Sequence, residues 1–148
     1  MRDINSQGII DGIVKALKAE FGESYTYYVN DIPQGFNEPS FYIKLLDSKF
    51  NLVCGNRYLR KNICLIRYFP QSELSPKQEI NAVLDRLFPV LEYIYMDDDL
   101  IRGTNMESTI EDNILQLSIN YDFFVFKPIK REILMQKLIQ DQKLKQED

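Results

Sequence analysis

Between residues 115 and 125 the chain alternates. Leu115, Leu117, Ile119, Tyr121, Phe123 and Val125 share one parity, and Gln116, Ser118, Asn120 and Asp122 fill the steps between the first five. A period of two belongs to a strand with one buried face. The chain must therefore build a sheet and must cover one side of it. Phe124 and Phe126 sit on the otherwise polar parity. They form either an exposed contact patch or a site covered by the C-terminal segment.

Two helical patterns can supply the cover. In residues 4–21, Ile10, Ile13, Val14, Leu17 and Phe21 recur at three-and-four spacing, and Ile4 and Ile9 widen the stripe. Gly22 stands where a helix terminator belongs. In residues 76–95 the stripe is Ile80, Val83, Leu84, Leu87, Leu91 and Ile94. Ser75, Pro76 and Gln78 there read as N-cap, first helical residue and capping-box partner. Pro89 is expected to kink or split this helix.

The remaining segments read as strands. They are 25–32, 40–46, 50–54, 58–69 and 100–110, with hairpin turns at Gly55-Asn56 and at Glu111-Asp112-Asn113. Residues 131–145 read as a polar helix with a narrow stripe of Ile133, Leu134, Leu138 and Ile139. Long strands joined by short turns imply an α+β fold, an antiparallel or mixed β-sheet packed by two helices. Residues 1–128 are expected to form one domain, and 129–148 a C-terminal helical tail. At 148 residues the chain has the size of one domain, and 45% hydrophobic with 27% charged residues is globular usage.

Composition removes much chemistry. The sequence has no His, so it lacks the commonest general base and metal ligand and any Ser-His or Cys-His pair. There is no phosphate loop and no Gly-x-Ser-x-Gly elbow. No apolar run approaches the roughly 20 residues of a membrane span, and the polar start of the chain does not read as a signal peptide. Cys54 and Cys64 are too few for a structural zinc site and are expected to be buried, reduced thiols. Asp97, Asp98 and Asp99 form the one acidic cluster. Carboxylates suit Mg²⁺ or Ca²⁺, but neighbours on a strand point to opposite faces, and the favoured reading is a solvated turn. No catalytic residue, metal site or cofactor is expected.

Charge distribution says more than the net charge of −4. Residues 48–72 hold Lys49, Arg57, Arg60, Lys61 and Arg67 and no acid, whereas 92–112 hold seven acids against Arg102 alone. Complementary patches on one molecule build a ring when head-to-tail contact closes. Two solvated hairpins of opposite sign give the same pattern, and so, less well, does a basic hairpin touching DNA phosphates.

Several short strings are shared with a known family. Ile32-Pro33-Gln34-Gly35-Phe36-Asn37-Glu38-Pro39 resembles a Gln-Gly-x-x-Glu-Pro segment of phage tail terminator proteins. These are encoded by contractile-tailed phages and phage-like elements of Gram-positive bacteria. Gly55-Asn56-Arg57-Tyr58-Leu59-Arg60, Arg67-Tyr68-Phe69-Pro70, Ile101-Arg102-Gly103-Thr104-Asn105-Met106 and Asn120-Tyr121-Asp122-Phe123-Phe124 are similar too. So are the opening Ile9-Ile10-Asp11-Gly12-Ile13 and Glu20-Phe21-Gly22. The resemblance runs in the family's order over nearly the whole chain, except its last dozen residues.

The resemblance implies a structural virion protein and no enzyme. It implies a homo-hexameric ring that caps the tail tube, stops its polymerisation and joins the tail to the head or neck. The implied partners are the tail tube protein, with sheath and neck or head-completion proteins beside it. DNA passes through without specific binding. The implied location is the top of the virion tail, after assembly in the host cytoplasm, in a phage, a prophage or a tail-like bacteriocin. A neck or head-completion protein contacting the portal is the alternative, and a metal-dependent hydrolase using Asp97–Asp99 a weaker one. Candidate interface residues are Gln34, Gly35, Glu38, Arg57, Arg60, Lys61, Asp97, Asp98, Asp99, Asn120 and Asp122. Gly35 and Gly103 are expected to permit turn conformations.

Overall fold

A computed structural model describes residues 5–127. The element order is α1 (Ser6–Phe21), β1 (Thr26–Val29), β2 (Ser40–Cys54), β3 (Arg57–Phe69), α2 (Pro76–Leu91), β4 (Tyr93–Met96), β5 (Asp99–Glu111), β6 (Ile114–Tyr121) and β7 (Phe123–Phe126). The expected C-terminal helix at 131–145 lies outside the described residues.

The strands form one sheet in the order β1-β2-β3-β6-β5-β4, with β7 also paired to β3. β1 runs parallel to β2 and every other pairing is antiparallel, so the sheet is mixed. Both helices pack on one face. Ile9, Ile13 and Leu17 of α1 and Ile80, Leu87 and Leu91 of α2 are fully buried there, against Phe41, Ile43, Ile66, Leu117 and Ile119. The alternation in β6 is realised residue by residue, with Leu115, Leu117, Ile119 and Tyr121 buried.

Asn5 begins α1, its Oδ1 accepting from the Gly8 N–H at 2.6 Å, and Gly22 ends it. Gly12 lets α1 lie against β4: a Cβ there would stand 2.5 Å from the Tyr95 carbonyl oxygen. Ser75 begins α2 but its side chain makes no cap bond. The expected capping box with Gln78 is replaced by Glu79, whose carboxylate accepts from the Gln71 and Ser72 N–H groups and from the Tyr68 hydroxyl.

Other expectations are corrected. Residues 40–54 form one strand and not two. Its polar middle, Asp47-Ser48-Lys49, reads as a break only if every strand must bury a face. Here the ladder to β3 carries the strand outward past a bulge between Leu45 and Asp47. The first strand shrinks from 25–32 to Thr26–Val29. The second helix ends at Leu91 rather than 95. Pro89 lies within its last turn without splitting it, and Ile94 belongs to β4, where exposed and buried residues alternate. The strand expected to run through 125 is interrupted at Asp122. Of the two cysteines only Cys64 is buried, and Cys54 is exposed near the β2–β3 turn. Gly103 is not in a turn. It lies within β5, where its N–H donates to the Glu92 carbonyl at 2.6 Å and an added Cβ would meet the Leu91 carbonyl oxygen at 2.8 Å.

Candidate assembly surface

Register divides the sheet into two faces, because opposite residues in a ladder point the same way. Arg60, Asn62, Cys64, Ile66 and Tyr68 of β3 point toward the helices, and Arg57, Leu59, Lys61 and Arg67 point away. The covered part of the first face ends at Leu45 on β2, at Arg60 and Asn62 on β3 and at Phe123 on β7. Beyond that level β2, β3 and β7 continue as a three-stranded arm. Every residue from Leu46 to Cys54 is exposed.

The arm is apolar for an exposed element. Leu46, Phe50, Leu52, Val53, Phe124 and Phe126 are all 41–62% exposed. Cations lie on its rings. The Arg57 guanidinium stands 3.7 Å from the Phe124 centroid, and Lys127 lies 5.4 and 5.1 Å from the stacked rings of Phe50 and Tyr58. Stacked cations hold an exposed aromatic in place without burying it.

A polar knot fixes the arm to the core. Asn62 is fully buried, and its Nδ2 donates to the Tyr121 carbonyl at 2.8 Å. Its Oδ1 accepts from Ser48 Oγ at 2.8 Å and from Arg60 Nε at 3.2 Å. Its backbone N–H donates to Asp122 Oδ1 at 3.2 Å, across the break between β6 and β7. Arg60 Nη2 also donates to Ser6 Oγ at 2.7 Å, at the start of α1. Burial lowers the Arg60 pKa from its ordinary value. Sequence reasoning missed Asn62. Its one signal is parity, since it shares the buried side of β3 with Cys64, Ile66 and Tyr68.

The candidate residues fall into four places. Gln34, Gly35 and Glu38 are exposed on the loop between β1 and β2, with Gly35 at φ +72°. That loop is seated by Phe36, packed on Phe69 at 4.7 Å, and by the Asn37 N–H donating to the Tyr28 hydroxyl. Arg57, Arg60 and Lys61 lie on the arm. Arg57 and Lys61 are exposed, whereas Arg60 is half-buried in the knot. Asp97 and Asp98 make the exposed turn between β4 and β5, and Asp99 opens β5. Asn120 and Asp122 flank Tyr121, Asn120 on the outward face opposite Ile63 and Asp122 at the break. The structure thus brings Arg60 and Asp122 together through Asn62, and leaves the other groups apart.

Among the described residues no group of three or more His, Cys, Asp or Glu is arranged to hold a metal ion. No helix among them is long and apolar enough to cross a membrane. The arrangement offers strands, edges and an exposed arm for contact with other proteins.

Such a fold and surface are those of an α+β domain with a mixed sheet and an exposed strand arm. The sequence matches the family described as phage tail terminator protein over residues 8–133, most of its length, and the chain belongs to that family. The family is one of phage tail structural proteins. No curated protein matches the sequence. A solved structure aligns with 85% of this chain and 99% of its own, at 16% identity and a TM-score of 0.41. That likeness is too slight to carry an argument.

Proposed function

We propose that this chain is the terminator of a tail tube, working as a closed ring, a hexamer in the family's manner. One face of the ring docks on the last ring of the tube. The other lacks the surface that would recruit another tube ring, and turns to the neck or head. The sheath protein is a further neighbour, and DNA passes through the lumen unbound. The observation that carries this reading is the arm. A monomer has no use for Phe50, Leu52, Phe124 and Phe126 in solvent, while a partner that covered the exposed half of one such side chain would gain about 1 kcal/mol.

The exposed candidates have definite parts in this proposal. Arg57 and Lys61 face neighbouring subunits or the tube and not the DNA channel, where dense positive charge would hold the DNA. Gln34, Gly35 and Glu38 present a loop to the same partners. Asp97, Asp98, Asp99 and Asn120 belong to the acidic side of the subunit contact. Arg60 and Asp122 set the pose of the arm.

The test is tube length. The protein is mixed with the tube protein encoded beside it, and the tubes are measured by negative-stain electron microscopy. Shorter tubes with a distinct ring at one end are expected. Unchanged tubes with bare ends would overturn the proposal, and binding to the portal would then favour a neck protein.

A further inference from the structure

Two long stretches of strand edge stand open in this sheet among the described residues, one carrying Asp47 and Lys49 and the other Glu107 and Glu111. On one side β1 covers β2 only from Ser40 to Ile43. On the other, β4 covers β5 only from Asp99 to Arg102, and the Gly103 N–H is taken by Glu92. Beyond those points each edge offers an unpaired row of N–H and C=O groups. Natural proteins seldom leave such rows uncovered when they are long and regular.

Bulges delimit the regular stretch of each edge. On β2 the register shifts between Leu45 and Asp47 and again between Leu52 and Cys54, leaving Asp47–Leu52 in clean register. On β5 it shifts between Thr104 and Glu107, leaving Glu107–Glu111. The two stretches are of similar length, near that of an ordinary strand.

We infer that these edges pair with each other between copies, Asp47–Leu52 of one chain against Glu107–Glu111 of the next. The inference rests on the ring reading and gives it a specific contact. Three successive antiparallel pairings, β2 to β3, β3 to β6 and β6 to β5, make β2 and β5 run in opposite directions. A second copy set alongside in the same orientation therefore presents its β2 antiparallel to the first copy's β5, with the helix-covered faces on one side. The contact is head-to-tail, the kind that closes into a ring.

The side chains on each face agree with that pairing. On the outward face, with Asn51 set opposite Thr109, Lys49 meets Glu111 and Asp47 falls beyond the strip of Glu107, Thr109 and Glu111, which has no Lys or Arg near it from Gly103 to Asp122. Within its own chain Lys49 lies opposite Lys61, a like-charge pair that the acidic strip of a neighbour would relieve. On the helix side Phe50 and Leu52 meet Ile110, each exposed in the single chain. A slip by one residue would set Lys49 against Ile110 and Phe50 against acid, so parity is fixed as well as direction.

Charge reversal and cross-linking on the full chain test the pairing. Oligomer size is measured by light scattering after gel filtration, with circular dichroism to confirm folding. The wild type is expected to be an oligomer. Lys49→Glu, and separately Glu107→Lys with Glu111→Lys, are expected to shift it to monomer, and all three changes together to restore it. In a Cys54→Ser background, Asn51→Cys with Thr109→Cys is expected to give a ladder of interchain disulfides on mild oxidation. A wild-type oligomer indifferent to the reversals and giving no disulfide ladder overturns the edge pairing and leaves the ring reading standing. A wild type that stays monomeric, with no ladder from the cysteine variant at any concentration, overturns both.

Discussion

Strands β2 and β3 run side by side for their whole lengths, yet the two halves of the hairpin live in different surroundings. From Ser40 to Ile43 and from Cys64 to Phe69 the pair is walled in, and Phe41, Ile43, Cys64 and Ile66 have no solvent exposure. From Leu46 to Arg57 it is open on both faces. The same ladder holds both halves, so hydrogen bonding does not distinguish them. Burial does. The inner half contributes to stability and the outer half is free to serve contact, because hydrophobic stabilisation scales with the area removed from water. The Asn62 knot marks the border.

The strongest way to break this comparison is to find the core indifferent or the arm essential to folding. Leu117 is fully buried on β6, opposite Ile66. Leu117→Ala is expected to cost about 2–5 kcal/mol, the range for a leucine cavity in a packed core. The denaturation midpoint should fall accordingly, with an unchanged slope against denaturant. A loss near zero would mean that the two helices do not cover this face in solution.

The border comes next in size. Asn62→Ala removes one side chain and leaves the Tyr121 carbonyl, Ser48 Oγ and Arg60 Nε to find other partners. Orphaning buried polar groups costs about 1–3 kcal/mol. Hydrogen exchange should quicken in the arm, at Leu59, more than at Ile66 in the core. Equal change in both halves would show that arm and core open as one unit.

The arm itself should be nearly silent in stability. Phe126→Ser at its outer edge is expected to change folding free energy by no more than about 0.5 kcal/mol, as for surface positions generally. In the tube-length assay the same variant should lose capping. A variant that caps normally would remove Phe126 from the contact, and one that unfolds would make the arm part of the core.

What the sequence makes legible follows the same border. The buried alternation of β6 and the stripes of α1 and α2 can be read because a core imposes a period on the side chains that face it. Residues Leu46 to Cys54 are exposed throughout, so Asp47-Ser48-Lys49 reads as a loop although it is strand. Ile94 misleads because the apolar stripe of α2 continues into β4 with only Glu92 between the two elements. Gly103 reads as a turn because glycine serves both turns and close approaches, and only the position of the Leu91 carbonyl decides between them. Asn62 is illegible because its partners, Ser48 and Tyr121, are brought to it by ladder register rather than by sequence spacing. Of the candidate surface, the split of charge between residues 48–72 and 92–112 is plain in the sequence. That Lys49 lies on one open edge of the sheet and Glu107 and Glu111 on another needed the strand order.

The finest test uses the two thiols, one on each side of the border. Cys54 is exposed on the arm and Cys64 is buried in the core. A thiol reagent should label Cys54 in the native protein without any opening, and label Cys64 only when the core opens. Burial also pushes the Cys64 thiol up from 9.0 to about 12. A raised folded-state value means that the protonated form is the one the fold favours. Its contribution is complete below pH 9 and declines as pH rises from there toward 12. Tyr68 and Tyr121, whose hydroxyls burial raises first of all, act in the same direction above pH 10. Labelling of Cys64 should therefore accelerate between pH 9 and 12 by more than the growth in thiolate explains, because the core opens more often. Cys54, exposed whether or not the core opens, should show no acceleration that comes from opening. Parallel pH profiles for the two sites would mean that the inner and outer halves of the hairpin share one environment, and the division drawn at Asn62 would fall.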